Sequence, residues 1–98
     1  MKKVMFAGEL CSLQFGNYGN GRLSIQLADR HGEPYGRATV NLPDEVLGED
    51  EVFIKDYSEN EGMLSALIEA GIVADTGRRV RTGYVEVPVC KLLVAVMV

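Results

Sequence analysis

The chain has 98 residues, of which 47% are hydrophobic and 24% charged, and its formal net charge is −4. This length excludes a second domain, and this composition is typical of a folded globular chain rather than a disordered one. The acidic balance disfavours nucleic-acid binding by the domain as a whole, and no run reaches the roughly 20 apolar residues that a membrane-spanning helix needs.

The first half of the chain predicts an antiparallel meander of β-strands. Residues 4–15 are mostly apolar and stop at the Asn- and Gly-rich segment 17–21, where both residue types tolerate the positive φ of a turn. Apolar and polar side chains alternate over residues 23–27 and again over 38–42, on either side of a turn at 29–34. Three such strands joined by short turns favour a meander.

A short helical turn and a fourth strand are predicted next. The segment 43–47 begins with proline, carries acids in its first positions and is followed by a glycine, which favours one helical turn. Residues 51–57 then alternate as a strand, which places Phe53 on the face opposite to that of Val52 and Ile54.

The clearest local signal predicts a helix from Glu59 to Ala70. Ser58 and Glu61 match a capping box, in which each side chain accepts a hydrogen bond from the backbone amide of the other residue. Apolar side chains then follow one stripe of the helix. Gly71 provides a left-handed residue after the last turn, and Ile72 is placed to contact that turn, as a Schellman motif prefers.

The last third of the chain predicts a turn at 75–77 and a final strand from Tyr84 to Val94. Three valines of this strand lie on one side: Val85, Val87 and Val89. Because Pro88 has no amide proton to donate, the strand is expected at a sheet edge or bulged there. The predicted fold class is α+β, a single domain with an antiparallel sheet of about five or six strands and one main helix packed on one face.

The C-terminal segment Leu92–Val98 has no polar residue on either face of a strand. It is therefore either buried on both sides or covered by another chain, because an exposed apolar strand promotes aggregation. Homodimerisation through this segment is one predicted mode of association.

Eight of the fourteen acidic residues lie between Asp44 and Glu61, a stretch with one base and a net charge of −7. Half of these acids have expected roles at helix N-termini, where carboxylates are favourable. These are Asp44, Glu45, Glu59 and Glu61. The others are predicted to form an acidic face that imitates nucleic-acid phosphates and meets a basic partner, or else only to solvate the surface. These are Glu49, Asp50, Glu51 and Asp56.

Two further features bear on binding. Tyr18 lies at the tip of the predicted turn 17–21, where an exposed aromatic side chain suits an interface, so it is predicted as a contact residue. The one basic cluster is formed by Arg78, Arg79 and Arg81. In an acidic domain we expect it to be a solvated face, or to contact the acidic stretch of a second copy, rather than to bind nucleic acid.

The residues that could carry catalysis do not form a recognisable set. His31, the only histidine, lies in a predicted turn, and neither Cys11 nor Cys90 has a neighbour that would activate a thiolate. The acids do not have the spacing of a Ca²⁺-binding loop, and the Gly-rich segment 16–22 leads into a strand rather than a phosphate-binding helix. The sequence therefore predicts no enzyme, no cofactor and no metal site; an enzyme would need a pocket that unites a thiol or the imidazole with carboxylates.

Cysteine usage and the N-terminus favour a cytoplasmic protein. Cys11 and Cys90 lie far apart without CxxC spacing, and no apolar export segment precedes Glu9. Two reduced, buried thiols are the prediction, although a disulfide closing a long loop is the alternative.

Several stretches together resemble a family of small uncharacterised bacterial proteins, a domain of unknown function carried on conjugative elements and phages. The resemblance covers residues 6 to 93. It is carried by Phe15-Gly16-Asn17-Tyr18 with Asn20-Gly21-Arg22, Ala38-Thr39-Val40-Asn41-Leu42-Pro43, Ile54-Lys55-Asp56-Tyr57-Ser58-Glu59-Asn60-Glu61-Gly62-Met63-Leu64, and Gly83-Tyr84-Val85 with Pro88-Val89-Cys90. It implies no activity and no site residue. It does imply a context, because small accessory proteins of mobile elements often block host defence by binding proteins.

The function predicted from these features is that of a non-enzymatic accessory protein of a mobile element. It would bind a host protein with a basic surface, as an anti-defence inhibitor similar to anti-CRISPR proteins. The alternative is a self-associating module that dimerises through Leu92–Val98.

Overall fold

Two antiparallel sheets and one short helix make up the fold of the computed structural model, which describes residues 2–96. The first sheet has the order β1-β2-β3-β4, with strands at Val4–Phe6, Glu9–Asn17, Leu23–Ala28 and Pro34–Arg37. The second has the order β5-β7-β6, and its strands in chain order are β5 at Glu51–Phe53, β6 at Val73–Thr82 and β7 at Val85–Leu92. A 3₁₀ turn, Ser58–Asn60, precedes helix α1, Met63–Glu69.

The segment 38–40 connects the two sheets by bonding to both of them. The Ala38 amide donates to the carbonyl of Ile25 on β3 at 2.8 Å, while the Ala38 carbonyl accepts from the Lys55 amide at 2.8 Å. Thr39 forms an isolated antiparallel bridge with Ile54. At this point the chain leaves the first sheet and joins the second.

This crossing explains the difference between the predicted and the observed sheets. The α+β class with one helix is confirmed, but the strands form two sheets rather than one. The third strand was expected at 38–42 and lies at Pro34–Arg37 instead. Alternation of side chains does not indicate which strand the backbone will bond to. Over 38–40 the backbone hydrogen bonds are divided between β3 and the segment 53–55, so no regular strand forms.

Apolar side chains are buried on both faces of the second sheet. The main core lies between the two sheets and α1, and it includes Val52, Ile54 and Cys90. The smaller core lies on the opposite face, around Phe53 and Val87, and is covered by partly buried side chains of residues 40–47. The prediction that Phe53 faces away from its two neighbours is therefore confirmed.

Of the two settings expected for Pro88, the structure shows the bulge and not the sheet edge. β7 is the central strand of its sheet, flanked by β5 and β6, so Pro88 is not on an edge strand. The register of β6 against β7 shifts between Asp75 and Arg79, and Arg79 is paired with Pro88. The predicted turn at 75–77 is thus a bulge within β6, and it lies where the proline interrupts the ladder.

The predicted helical turn at 43–47 is absent, and the segment forms a non-helical loop. Its backbone bond runs from the Glu45 amide to the Leu42 carbonyl at 3.1 Å, as in a single tight turn. Without a helix there, Asp44 and Glu45 have no helix N-terminus to stabilise.

The start of the main helix also differs from the prediction. Ser58 has a φ of 56°, and α1 begins at Met63, after Gly62 at a φ of 97°. The amides of Gly62 and Leu64 donate instead to Asp56 Oδ1, at 3.1 and 2.9 Å. Asp56 therefore takes the role that the sequence assigns to Ser58.

The end of α1 agrees with the prediction. Gly71 has a φ of 74°, and the Ile72 amide donates to the Leu67 carbonyl at 3.0 Å. The Gly71 amide donates to the Ile68 carbonyl at 3.0 Å, which completes the Schellman pair.

Substitution of Asp56 and of Ser58 in turn tests which of the two residues caps the start of α1. We expect Asp56→Ala to lower the free energy of unfolding by about 1–2 kcal/mol, because the amides of Gly62 and Leu64 at the start of α1 lose their acceptor. Ser58→Ala, the matched control, should change it by less than about 0.5 kcal/mol, since Ser58 is exposed and is the N-cap of neither the 3₁₀ turn nor α1. Urea denaturation followed by circular dichroism measures both, and a larger cost for Ser58→Ala would restore the capping box.

Candidate functional site

The most prominent charged surface feature is the acidic loop, defined here as residues 44–50. Its four carboxylate side chains, those of Asp44, Glu45, Glu49 and Asp50, are all exposed. Val46 lies between them and is 83% exposed. A second tight turn closes the loop, because the Glu51 amide donates to the Gly48 carbonyl at 3.2 Å. The loop therefore presents four carboxylates and one exposed apolar side chain.

Arg22 holds the acidic loop against the body of the domain. Its guanidinium donates through Nη1 to the Leu42 carbonyl at 2.5 Å and through Nη2 to the Glu45 carbonyl. The same group lies over the Phe53 ring, 5.8 Å from the ring centroid. Sequence analysis missed Arg22, because its hydrogen-bond partners are backbone carbonyls and no residue type in the sequence indicates them.

The loop carboxylates are little used within the described residues 2–96. There, the side chains of Asp44, Glu45 and Glu49 form no hydrogen bond or ion pair, and Asp50 lies 3.5 Å from the Lys91 amine with both side chains more than half exposed. An exposed pair of this kind is worth well under about 1 kcal/mol. These carboxylates remain available to an external cation.

Glu51, by contrast, is engaged within the fold. Its side chain is 16% exposed and lies 2.8 Å from Arg78 Nη1. It also accepts the Gly48 amide at 2.8 Å. The Gly48 amide, followed by the Arg78 guanidinium, holds the pKa of the Glu51 carboxyl below its usual value. Its charge is therefore largely offset by a neighbour.

Asp56 and Tyr18, the other two predicted contact residues, also have intramolecular partners. Asp56 accepts the first-turn amides of α1, on a different part of the fold from the acidic loop. The Tyr18 hydroxyl is hydrogen bonded to Thr39 Oγ1 at 2.8 Å, and its half-buried ring lies under Arg37, 5.7 Å from the guanidinium carbon. Of the five predicted contact residues, the structure brings Glu49, Asp50 and Glu51 together.

A groove of about 400 Å³ lies beside the acidic loop. One wall is the turn 48–51, and the other is the end of the β2–β3 hairpin, at Asn17 and residues 21–23. Leu92 and Val96 from the C-terminal segment also line it. A cavity of this volume is within the range that binds small groups or side chains.

The basic cluster is partly neutralised by acids of the same chain. Arg78 pairs with Glu51. Arg79 donates hydrogen bonds to both carboxylate oxygens of Asp75, at 2.9 and 2.8 Å. The Arg79 guanidinium, with the Gly77 amide, lowers the pKa of Asp75 to about 2. Arg78 thus meets the acidic stretch within one molecule, whereas the sequence predicted a solvated face or, as the alternative, a contact between two copies.

The groups considered for catalysis are unactivated in this structure. Cys11 and Cys90 are buried free thiols, as predicted, and burial raises the pKa of both, that of Cys90 to about 12. His31 is exposed in a turn whose amides, including its own, donate to Asp29 Oδ1. Within residues 2–96 there is no group of three or more His, Cys, Asp or Glu side chains arranged to hold a metal ion.

The C-terminal segment contacts the body of the domain as far as it is described. The Leu93 amide donates to the Ile72 carbonyl at 2.8 Å, and Val94 packs against the main core. Leu93 itself is 54% exposed. From Val89 to Leu92 the strand bonds to residues 50–53 on one side and to β6 on the other, so this part offers no free edge to a second copy. Met97 and Val98 lie outside the described residues, and dimerisation through 92–98 stays a prediction.

Comparison of the chain with protein-family models, curated proteins and solved structures finds no match. Among the described residues no helix has both the length and the hydropathy to cross a membrane.

Proposed function

We propose that this chain is a non-enzymatic binding protein whose acidic loop docks on a basic surface of a host protein. In this proposal it is an accessory protein of a mobile genetic element, acts in the cytoplasm, and blocks a host defence protein by covering the surface that would otherwise hold nucleic acid. The observation that carries the proposal is the set of exposed carboxylates on a loop held in place by Arg22.

Two properties of the loop favour binding over mere solvation. The carboxylates of Asp44, Glu45 and Glu49 have no intramolecular partner in the described part of the chain, so a cation of the partner need not displace one. Arg22 also donates hydrogen bonds to the Glu45 carbonyl in the loop and to the Leu42 carbonyl just before it, which reduces the conformational entropy that binding would cost. Negative charge gathered in this way accelerates encounter with a basic surface.

The apolar side chain at the centre of the loop completes the proposed contact. Val46 is 83% exposed and follows Glu45 on a loop with four exposed carboxylates. Protein interfaces combine apolar and polar side chains, and this loop offers both on a small scale. The proposed contact surface is therefore Asp44, Glu45, Val46, Glu49 and Asp50, which keeps two of the five residues predicted from the sequence.

Charge reversal with a matched control tests the proposal. The triple variant Asp44→Lys, Glu45→Lys and Glu49→Lys should weaken binding to a partner isolated with the wild-type chain at least about tenfold, mainly through a slower association rate. The control triple Glu33→Lys, Glu61→Lys and Glu69→Lys alters exposed acids elsewhere and has the same net charge. Biolayer interferometry at two salt concentrations measures both, and equal losses would leave only a net-charge effect.

The anti-defence role has its own readout with the same variants. A plasmid that expresses the wild-type chain should raise phage plating on a bacterial host with an active nucleic-acid-targeting defence system, and the loop triple should not. If the loop triple protects the phage as well as the wild type does, the acidic loop is not the inhibitory surface.

A further inference from the structure

The groove beside the acidic loop has features of a side-chain receptor that the loop alone lacks. It is lined by the apolar side chains of Leu23, Leu92 and Val96, each only partly buried. Glu49 and Asp50 also line it and are the central residues of the turn 48–51. Because the three apolar side chains are partly buried and the two carboxylates are exposed, we call the former the floor and the latter the rim. This combination matches a side chain that has a hydrocarbon stem and a cationic end.

Two of the arginines near the groove are bound elsewhere, and Lys91 pairs weakly with the rim residue Asp50. Arg22 lies in the wall, but its guanidinium is directed to two backbone carbonyls and the Phe53 ring. Arg78 is bound to Glu51. Lys91 reaches Asp50 only at 3.5 Å, in an exposed pair that a competing cation can displace at little cost.

We propose that the groove receives one lysine or arginine side chain of the partner. The stem would lie on the floor formed by Leu23, Leu92 and Val96, and the charged end would meet Glu49 and Asp50. This inference rests on the proposed function, because it names the residue type through which the basic partner is held. Arginine anchors of this kind are common among residues that dominate binding energy.

Small analogues of the two side chains test the groove without the partner. We expect n-butylguanidinium or n-butylammonium to bind saturably in the millimolar range, as their few atoms allow, and to shift backbone amide resonances of residues 21–23, 48–51 and 92. Sodium chloride at equal ionic strength is the reference titration. Comparison of the two cations shows whether the groove prefers a planar guanidinium or a compact ammonium.

Variants of the rim and the floor identify the site. Glu49→Gln with Asp50→Asn should weaken binding of the preferred amine about fivefold or more, and Val96→Asn should weaken it about threefold. Glu61→Gln with Glu33→Gln is the matched control and should leave the affinity unchanged. Shifts that do not saturate, or that survive the rim variant, would overturn the inference.

The two proposals fail in distinguishable ways. If the amines do not bind but reversal of the loop acids still abolishes partner binding, the loop acts as a flat charged surface and only the groove inference is lost. If the two cations bind at the groove but neither the loop variants nor the rim variants change partner binding, the proposed function is wrong and the groove remains a cation site.

Discussion

Thr39→Val should lower the free energy of unfolding by about 3 kcal/mol, although the substitution barely changes the volume of the side chain. Thr39 is 2% exposed, and its Oγ1 accepts the amide of Ile25 at 3.1 Å and is bonded to the Tyr18 hydroxyl at 2.8 Å. Valine removes both bonds at once. The Ile25 amide, in a residue with no exposed surface, would then be left without an acceptor.

The hydroxyl is needed because of the crossing between the two sheets. In an antiparallel pair, the residue that donates its amide to Ile25 would also offer its carbonyl to the Ile25 amide. Ala38 does donate to Ile25, but the Ala38 carbonyl is already bonded to the Lys55 amide. Thr39 Oγ1 replaces the missing carbonyl, so the side chain completes a backbone ladder.

Thr39→Ser and Tyr18→Phe are the matched controls for this prediction. Serine keeps the acceptor and should cost about 1 kcal/mol through the lost methyl group, and Tyr18→Phe should cost about 1 kcal/mol through one hydrogen bond. Urea denaturation gives the free energies, and hydrogen exchange reports the Ile25 amide directly. The explanation is wrong if valine costs no more than serine, or if the Ile25 amide stays protected in the valine variant.

Parts of the fold that depend on residue chemistry over a few positions could be predicted from the sequence. The opposite orientation of Phe53 and its neighbours follows from strand periodicity, and the structure places Phe53 in the smaller core and its neighbours in the main core. The Schellman end of α1 follows from Gly71 and the apolar Ile72. In both cases the determining contacts lie within a few residues.

The features that were mispredicted depend on contacts distant in sequence or on the backbone path. The capping box has the right residue types, but the backbone takes Ser58 to a φ of 56° and brings Asp56 to the helix instead. The strand expected over 38–42 is lost because a second sheet competes for the Ala38 carbonyl. No local pattern records that competition.

The candidate surface changed for the same reason. Asp44 and Glu45 were assigned to a helix that does not form, so their carboxylates are available. Glu51 and Asp56 were assigned to a partner, but Arg78 and the amides of α1 bind them. The total charge of the stretch was evident from the sequence, whereas the identity of the uncommitted acids required the tertiary structure.

Arg22→Ala should lower the free energy of unfolding by about 2–3 kcal/mol and detach the acidic loop. The alanine variant loses the hydrogen bonds to the carbonyls of Leu42 and Glu45 as well as the contact with the Phe53 ring. Arg22→Lys should recover less than half of this loss, because an ammonium cannot bind both carbonyls in the planar fork that a guanidinium provides. Urea denaturation measures the stability, and faster hydrogen exchange of the Glu45 amide reports the detached loop.

The effect of Arg22→Ala on partner binding separates charge from preorganisation, because the two act in opposite directions. Removing a positive charge beside the acidic loop makes the local potential more negative, so electrostatics alone predicts faster association with a basic partner. A detached loop must be ordered again on binding, which we expect to weaken the complex about tenfold through faster dissociation. Association and dissociation rates for the alanine and lysine variants decide between them. Tighter binding of Arg22→Ala would mean that the carboxylates act as a diffuse charge, and that the loop conformation held by Arg22 has no part in recognition.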